Sequence, residues 1–552
     1  MRPIASRREQ GRFNGWLALG AFLTVTALVR PAYAADGKEG VSSVSVKTSG
    51  VKLPYIDQML KDSWQSAGVK PSAFSRDDEF VRRAYLDVLG RIPNIAEARA
   101  FLSSKEQAKR VKLVEYLLAH PDYAKNMATQ WKVTLIGRGR PDRNVDPRAL
   151  TDWLRKQFAA NRPWNEMALE LITAKGSNKE NGAVNYTMSH LEGGAVPLTS
   201  LTTRVFLSQQ IQCTQCHDHP SNDWKQADFW GINAFLKGIR TKDFNKEDTT
   251  GAEVYDHTEL TDAPTDDFST YERRDARMGV VFPTFLDGRK ISQGKDVNRR
   301  EALGKFITGA DNEAFPKAMV NRVWTHLMGR GFVNPVDDFG PHNNPSHPEL
   351  LDRLGKDFKE SGYNVKQLIR WIMNSDAYQL TSSSIPANEK DESLFTHMTL
   401  KPMTPEQLFD SLLVATAAHK AGSQADSDKR RDEWLRQFQF AFANDEGDES
   451  TSFQGTIPQA LMMMNGDLMA QAVGGKSGSF LADLLEQSQL QRRQPIGEFV
   501  VQHLYLAALS RAPSPREFAM AQGFLGSNPD SIPVMEDIFW ALLNSNEFIL
   551  NR

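Results

Sequence analysis

The chain has 552 residues, with 66 lysines and arginines against 68 aspartates and glutamates, and 40% of its residues are apolar. That length is enough for two or more cores, and the near-neutral balance excludes the global basic field of a nucleic-acid binder. The apolar content excludes a disordered chain.

Arg2, Arg7, Arg8 and Arg12 precede an apolar run from Trp16 to Val29, broken only by Gly20, Thr24 and Thr26; Pro31 and Ala32-Tyr33-Ala34 follow. A charged start, a short apolar middle and a small–bulky–small end predict an export signal over residues 1–34. The run is shorter than the ~20 residues a membrane-crossing helix needs, and Arg30 closes it. No later segment is long and apolar enough to span a membrane. The expectation is an exported protein, whether periplasmic, cell-surface or secreted, with no transmembrane segment once the signal is removed.

Residues 50–240 read as a helical domain. Ser75 and Asp78 form a capping-box-like start, Phe80, Val81, Ala84, Tyr85, Val88 and Leu89 follow at helical spacing, and Gly90 ends the run. YLDVLGRIP at Tyr85–Pro93 recurs as YLAALSRAP at Tyr505–Pro513, with Glu97 and Glu517 four residues beyond each proline. LLAHPDY (Leu117–Tyr123), IMNSDAY (Ile372–Tyr378) and LLNSNEF (Leu542–Phe548) share a second form, an apolar helix ending just before an aromatic residue. These similarities predict a helix-turn-helix packing unit used near both ends of the chain.

Thr241 to Arg289 is rich in Asp, Thr and Pro, and its strand-like run is Val280-Val281-Phe282. Residues 241–297 therefore read as an irregular connection with a possible small hairpin, and residues 298–552 as a second helical domain. There Thr404-Pro405-Glu406-Gln407 is a clear helix start. Gly422 to Ser452 reads as a charged surface excursion around a helix from Glu433 to Phe442. Met462, Met463, Met464 and Met469 lie among Ile457, Leu461 and Leu468 and read as helix core rather than a copper site. The predicted fold class is mainly α: two helical domains with a short β-containing connection.

The chain has two cysteines, Cys213 and Cys216, and His217 follows directly. A C-x-x-C-H run is the attachment pattern of c-type haem. Cysteines three apart share one side of a helical turn, so both thiols can reach the two vinyl groups of a porphyrin, and the next histidine can meet the iron. Leu201 to Gln212 reads as helical, and Trp224, Phe229, Trp230 and Phe235 read as plain core first, with the walls of a haem pocket as the alternative. Met188, His190, His257 and Met278 are available as a sixth iron ligand, and nothing ranks them. Two other readings stay open: a Cys213–Cys216 disulfide, structural or redox-active, and a zinc site on Cys213, Cys216, His217 and His219.

Val320 to Leu350 concentrates Arg322, His326, Arg330, Asp337, Asp338, His342 and His347. Asp337, Asp338, His342 and His347 form a second candidate site, for metal or acid–base chemistry. The competing reading is a loop of turns and caps that satisfies its own polar groups, with His326 packed among Val323, Trp324 and Leu327. No phosphate loop, dinucleotide fingerprint, serine elbow or H-E-x-x-H motif is present, and the catalytic residues of any enzyme activity are unassigned.

The chain resembles the planctomycete cytochrome-like family, exported proteins with an N-terminal cytochrome-like domain and a C-terminal domain, both of unknown function. The resemblance rests on Phe80–Leu102, Thr203–Leu236, Arg299–Thr308, Val320–Asp352 and Ile457–Asp467. It implies Cys213, Cys216 and His217 as the expected haem residues. One departure is Ser221-Asn222 after the His-Pro pair, where relatives commonly have an aromatic. The expected function is redox or electron transfer with covalent haem c and a redox partner protein. The alternatives are a metal-dependent hydrolase or binding protein for extracellular polymers, with zinc or no cofactor, and a non-catalytic cell-surface protein with a Cys213–Cys216 disulfide.

Overall fold

Helix ends follow local chemistry. Thr404 and Gln407 cap one another reciprocally ahead of the Pro405–Thr416 helix, as the sequence predicts. Gly90, at φ 72°, closes the Asp77–Leu89 helix in the left-handed region. Its start differs from expectation: Arg76 occupies the N-cap without a side-chain cap, and Asp77, Asp78 and Glu79 fill the first turn. Carboxylates there satisfy the helix dipole, so Ser75 is not needed as a cap; it accepts a hydrogen bond from Arg110 instead. The computed structural model describes residues 50–552 except 51, 140–141, 265–267, 292–296, 421–426, 443–462, 464–465, 476–477, 491–495, 527 and 529. The expected export signal and most of Ile457–Asp467 lie outside the described residues. The protein is mainly α with a few short strand pieces, and Thr48–Arg552 forms one compact unit.

Two apolar cores hold this unit together. The larger draws on residues from Ile56 to Met398 and so joins the predicted first domain to the opening part of the second. The smaller collects Met403 to Phe548 and adds Leu86 and Ile92 from the far end of the chain. Trp434 and Phe438 are buried in it, so the charged Ser427–Phe442 helix is not a surface excursion but packs through these two side chains. Met463 and Met469 are also buried there, as core.

The connection contains more strand than the sequence predicts. β1 (Gly176–Ser177), β2 (Ile239–Glu247) and β3 (Glu253–Asp262) form an antiparallel sheet in the order β1-β3-β2. β2 is exposed along almost its whole length, so no apolar alternation announces it; cross-strand hydrogen bonds hold it instead. β4 (Ser269–Glu272) and β5 (Met278–Val281) form the small hairpin expected at Val280.

The sequence repeat is matched atom by atom. In each copy a left-handed residue, Gly90 or Ser510, ends a helix and an arginine follows. Arg91 makes paired bonds to Glu97 at 2.8 and 2.9 Å, and Arg511 makes them to Glu517 at 2.8 Å each. Both glutamates then close capping boxes, with Asn94 and Ser514. Each arginine reaches a second acid, Asp122 or Glu547, and lies over a tyrosine, Tyr85 or Tyr505. The Arg511 hydrogen bonds hold the Glu517 carboxyl well below its ordinary range, at about 2. A carboxylate whose folded value is depressed stabilises the fold above its unfolded value and loses that contribution as pH falls. Glu517→Gln should therefore be less stable than the parent at neutral pH. The gap should close between pH 4.5 and about 2, read from denaturation midpoints.

The aromatic-ending helices explain two adjacent buried arginines. Arg82 donates to the carbonyls of Phe548 and Ala508, and Arg83 donates to those of Tyr378 and Leu380. Ser375 and Ser545 cap the short turns that present Tyr378 and Phe548. One helix thus reads the same motif twice, once from each core.

Candidate functional site

The helix ahead of the cysteines ends earlier than predicted, at Leu207, because Ser208 adopts φ 53°. Gln212–Gln215 is a single 3-10 turn, and Cys216 is its C-cap. Residues three apart eclipse one another in that geometry. Cys213 and Cys216 are both unpaired thiols, and both are exposed. The turn is anchored from behind: the side chains of Gln226 and Trp230 both donate to the Gln215 carbonyl, at 3.2 and 3.1 Å. His217 is exposed, and its Nδ1 donates to the Asp218 carbonyl at 2.7 Å. That bond fixes the neutral tautomer and leaves Nε2 bare, as an imidazole metal ligand requires.

The fold brings part of the second candidate site to this turn. His219 and His342 lie with ring centroids 6.0 Å apart. His342 Nε2 donates to both carboxylate oxygens of Asp338 at 3.1 Å, which leaves Nδ1 bare. His219 Nδ1 accepts from the Ser221 amide, so its neutral ring carries the proton on Nε2. Burial, and then repulsion from His342 and His217, lower the His219 pKa, with Asp338 acting the other way. Gly340 sits in the contact: a Cβ there would meet Asn222 Nδ2 at 2.7 Å and His342 Cε1 at 2.7 Å. Only a residue without a side chain lets the two loops approach so closely.

The other predicted residues are placed elsewhere. Asp337 is buried and ion-paired with Arg204 (3.3 Å) and Arg322 (3.6 Å), so it ties the helix before the cysteines to the loop. The Phe339 amide adds a bond to the Ser208 carbonyl at 2.8 Å. His347 is buried away from His342, hydrogen-bonded with Ser346 and Ser63 and packed beside Phe332 and Phe395. His326 is a packed histidine whose Nε2 donates to the Asp87 carbonyl. Among the described residues, no group of three or more His, Cys, Asp or Glu stands ready to hold a metal ion.

Fit to haem divides into donors and walls. The donors suit it: two unpaired thiols on one turn, with a bare imidazole nitrogen next in sequence. The walls follow the plain-core reading at Phe229 and Phe235. Phe229 and Phe235 are fully buried, and Phe235 stacks on Phe285, so neither lines an open cavity. Trp224 donates to Gln209, and Trp230 stacks on Tyr271 at 6.0 Å. Of the sixth-ligand candidates, Met188 is buried, His190 is bonded to the Leu135 carbonyl, His257 pairs with Asp256 on β3, and Met278 faces outward on β5. Sequence reasoning misses Gln226 altogether and, for Trp230, misses its role in holding the turn. The pairing of His219 with His342 is missed too, although each segment stands out in the sequence.

Residues 55–241 match a family described as a protein of unknown function, DUF1549, and residues 299–438 match a second, DUF1553. The two matched regions follow one another along the chain, DUF1549 first and DUF1553 second. The cysteine turn lies in the first region and the Asp338–His342 pair in the second, so the contact between His219 and His342 is a contact between the two. No curated protein and no solved structure matches this chain. No helix among the described residues is long and apolar enough to cross a membrane.

Proposed function

We propose that this DUF1549–DUF1553 protein acts outside the cytoplasm as a redox protein that holds a haem through Cys213, Cys216 and His217. The observation that carries the reading is the pair of unpaired, exposed thiols on one turn beside an imidazole whose Nε2 is left bare by the Asp218 carbonyl. Each thiol adds across a vinyl double bond, forming one S–C and one C–H bond, so attachment consumes no oxidant. A bound haem supplies one-electron transfer. Gln226 and Trp230 keep the turn in place, and its exposure keeps the centre within reach of a redox partner protein.

The test is expression with export in a host that matures c-type haem, followed by denaturation. Haem is expected to stay with the chain in absorbance and mass. A haem-free chain two protons light is the result that replaces this reading with a disulfide.

A second reading rests on the Asp338–His342 pair, where a carboxylate orients an imidazole with a bare Nδ1 beside His219. That arrangement suits a general base or a metal ligand in a hydrolase or binding protein for extracellular polymers. Stoichiometric zinc by elemental analysis, without haem, would favour it.

A further inference from the structure

The β4–β5 hairpin has two unlike faces. Its inner face packs onto the protein: Tyr271 stacks on Trp230 with rings 3° from parallel, and Gly279 lies beneath Tyr271, where a Cβ would come within 2.5 Å of the ring. Its outer face carries Met278 and Val280 on β5, 63% and 55% exposed, opposite Glu272 and Thr270 on β4. Phe268 and Phe282 extend the two strands at the same alternation, 41% and 38% exposed, and meet edge to face at 6.3 Å. Four large apolar side chains are thus gathered on one exposed face. The loop joining the strands holds Arg273, Arg274 and Arg277 with a single acid, Asp275. Asp275 lies against Arg277, while no carboxylate among the described residues is within ion-pair distance of Arg273 or Arg274.

We propose that this hairpin face is a membrane-surface contact, with the apolar side chains entering the interfacial layer of an anionic lipid leaflet and the arginines meeting its phosphates. Two arguments select lipid over protein. The patch is about a few hundred Å² in size, far below the ~800 Å² per partner of a standard protein interface, so a second copy would not be held. It is also bordered by Arg273 and Arg274, without carboxylate partners among the described residues, which fits an apolar face dipping under charged headgroups. Glu272 shares the outer face at the arginine end and opposes insertion there, so the contact is shallow.

The contact would also place the cysteine turn. The Gln226 amide that donates to Gln215 donates to the Glu272 carbonyl of β4 as well, at 2.7 Å. A hairpin resting on lipid therefore holds Cys213–His217 beside the membrane surface. The lipid contact itself does not depend on what that turn binds.

The test is co-sedimentation of the exported protein with large vesicles of phosphatidylcholine alone, or of phosphatidylcholine with phosphatidylglycerol. The parent should sediment with the anionic vesicles and much less with the neutral ones. Met278→Glu/Val280→Glu should reduce the bound fraction at least tenfold, and Arg273→Glu/Arg274→Glu should remove the preference for phosphatidylglycerol. Both variants change exposed side chains, and unaltered circular dichroism would confirm their folding. Failure of the parent to bind either vesicle overturns the proposal, as does undiminished binding by the Met278/Val280 variant. A parent dimer in solution that this variant dissociates overturns it too, and assigns the face to self-association.

Discussion

Asp87→Leu is expected to destabilise the protein by about 3–5 kcal/mol, the cost of leaving one partner of a buried ion pair uncompensated. Asp87 is 1% exposed and Lys401 15% exposed, and they meet at 2.7 Å. The same carboxylate accepts from the Tyr378 hydroxyl and the Asn551 amide, each at 2.7 Å. Lys401 also donates to the carbonyls of His326 and Leu327. Three segments distant in sequence therefore end on one acid, and removing it strands a buried ammonium among carbonyls. Burial lowers the Lys401 pKa while Asp87 raises it. In the variant only the lowering remains, so the unfolded chain binds the proton more tightly and stability should recover as pH rises. Lys401→Met alone should also destabilise, and the Asp87→Leu/Lys401→Met double variant should cost less than the two singles combined. Chemical denaturation at several pH values checks this. A loss below about 1 kcal/mol for Asp87→Leu would show that the pair is dispensable.

Cys213→Ser/Cys216→Ser is expected to abolish covalent haem retention completely while changing stability by no more than about 0.5 kcal/mol. The two effects separate because both thiols are exposed and unpaired, so neither contributes to a core or a cross-link. The turn should keep its shape, since Gln226 and Trp230 hold its backbone through the Gln215 carbonyl rather than through sulfur. Each single variant should keep haem through one remaining thioether, and His217→Ala should keep both thioethers while changing the iron spectrum. Pyridine haemochrome spectra with denaturant midpoints on the same preparations measure both quantities. A large stability loss in the double serine variant without loss of haem would contradict the assignment.

Much of the fold is legible in local sequence. The Thr404 start, the Gly90 stop and the Arg91/Arg511 repeat depend on hydrogen bonds that close within a few residues, and neighbouring residues report them directly. The small hairpin at Val280 shows itself as a β-branched run. β2 does not, because it is exposed on both faces and has no apolar period to read. The Ser427–Phe442 helix reads as surface because its charges outnumber Trp434 and Phe438, yet those two side chains decide where it packs.

The candidate site divides along the same line. Sequence by itself determined the donor set: Cys213, Cys216 and His217 at a spacing that a single turn brings to one side. It also singled out Asp338 and His342 without saying what they face. Only the tertiary structure decided that His342 stands beside His219, that Asp337 is an anchor and His347 a packed side chain, and that Phe229 and Phe235 are core. The physical reason is range. A turn is set by neighbouring backbone bonds, whereas each of these outcomes depends on segments distant in the chain meeting across a shared core, where burial and charge choose the partners.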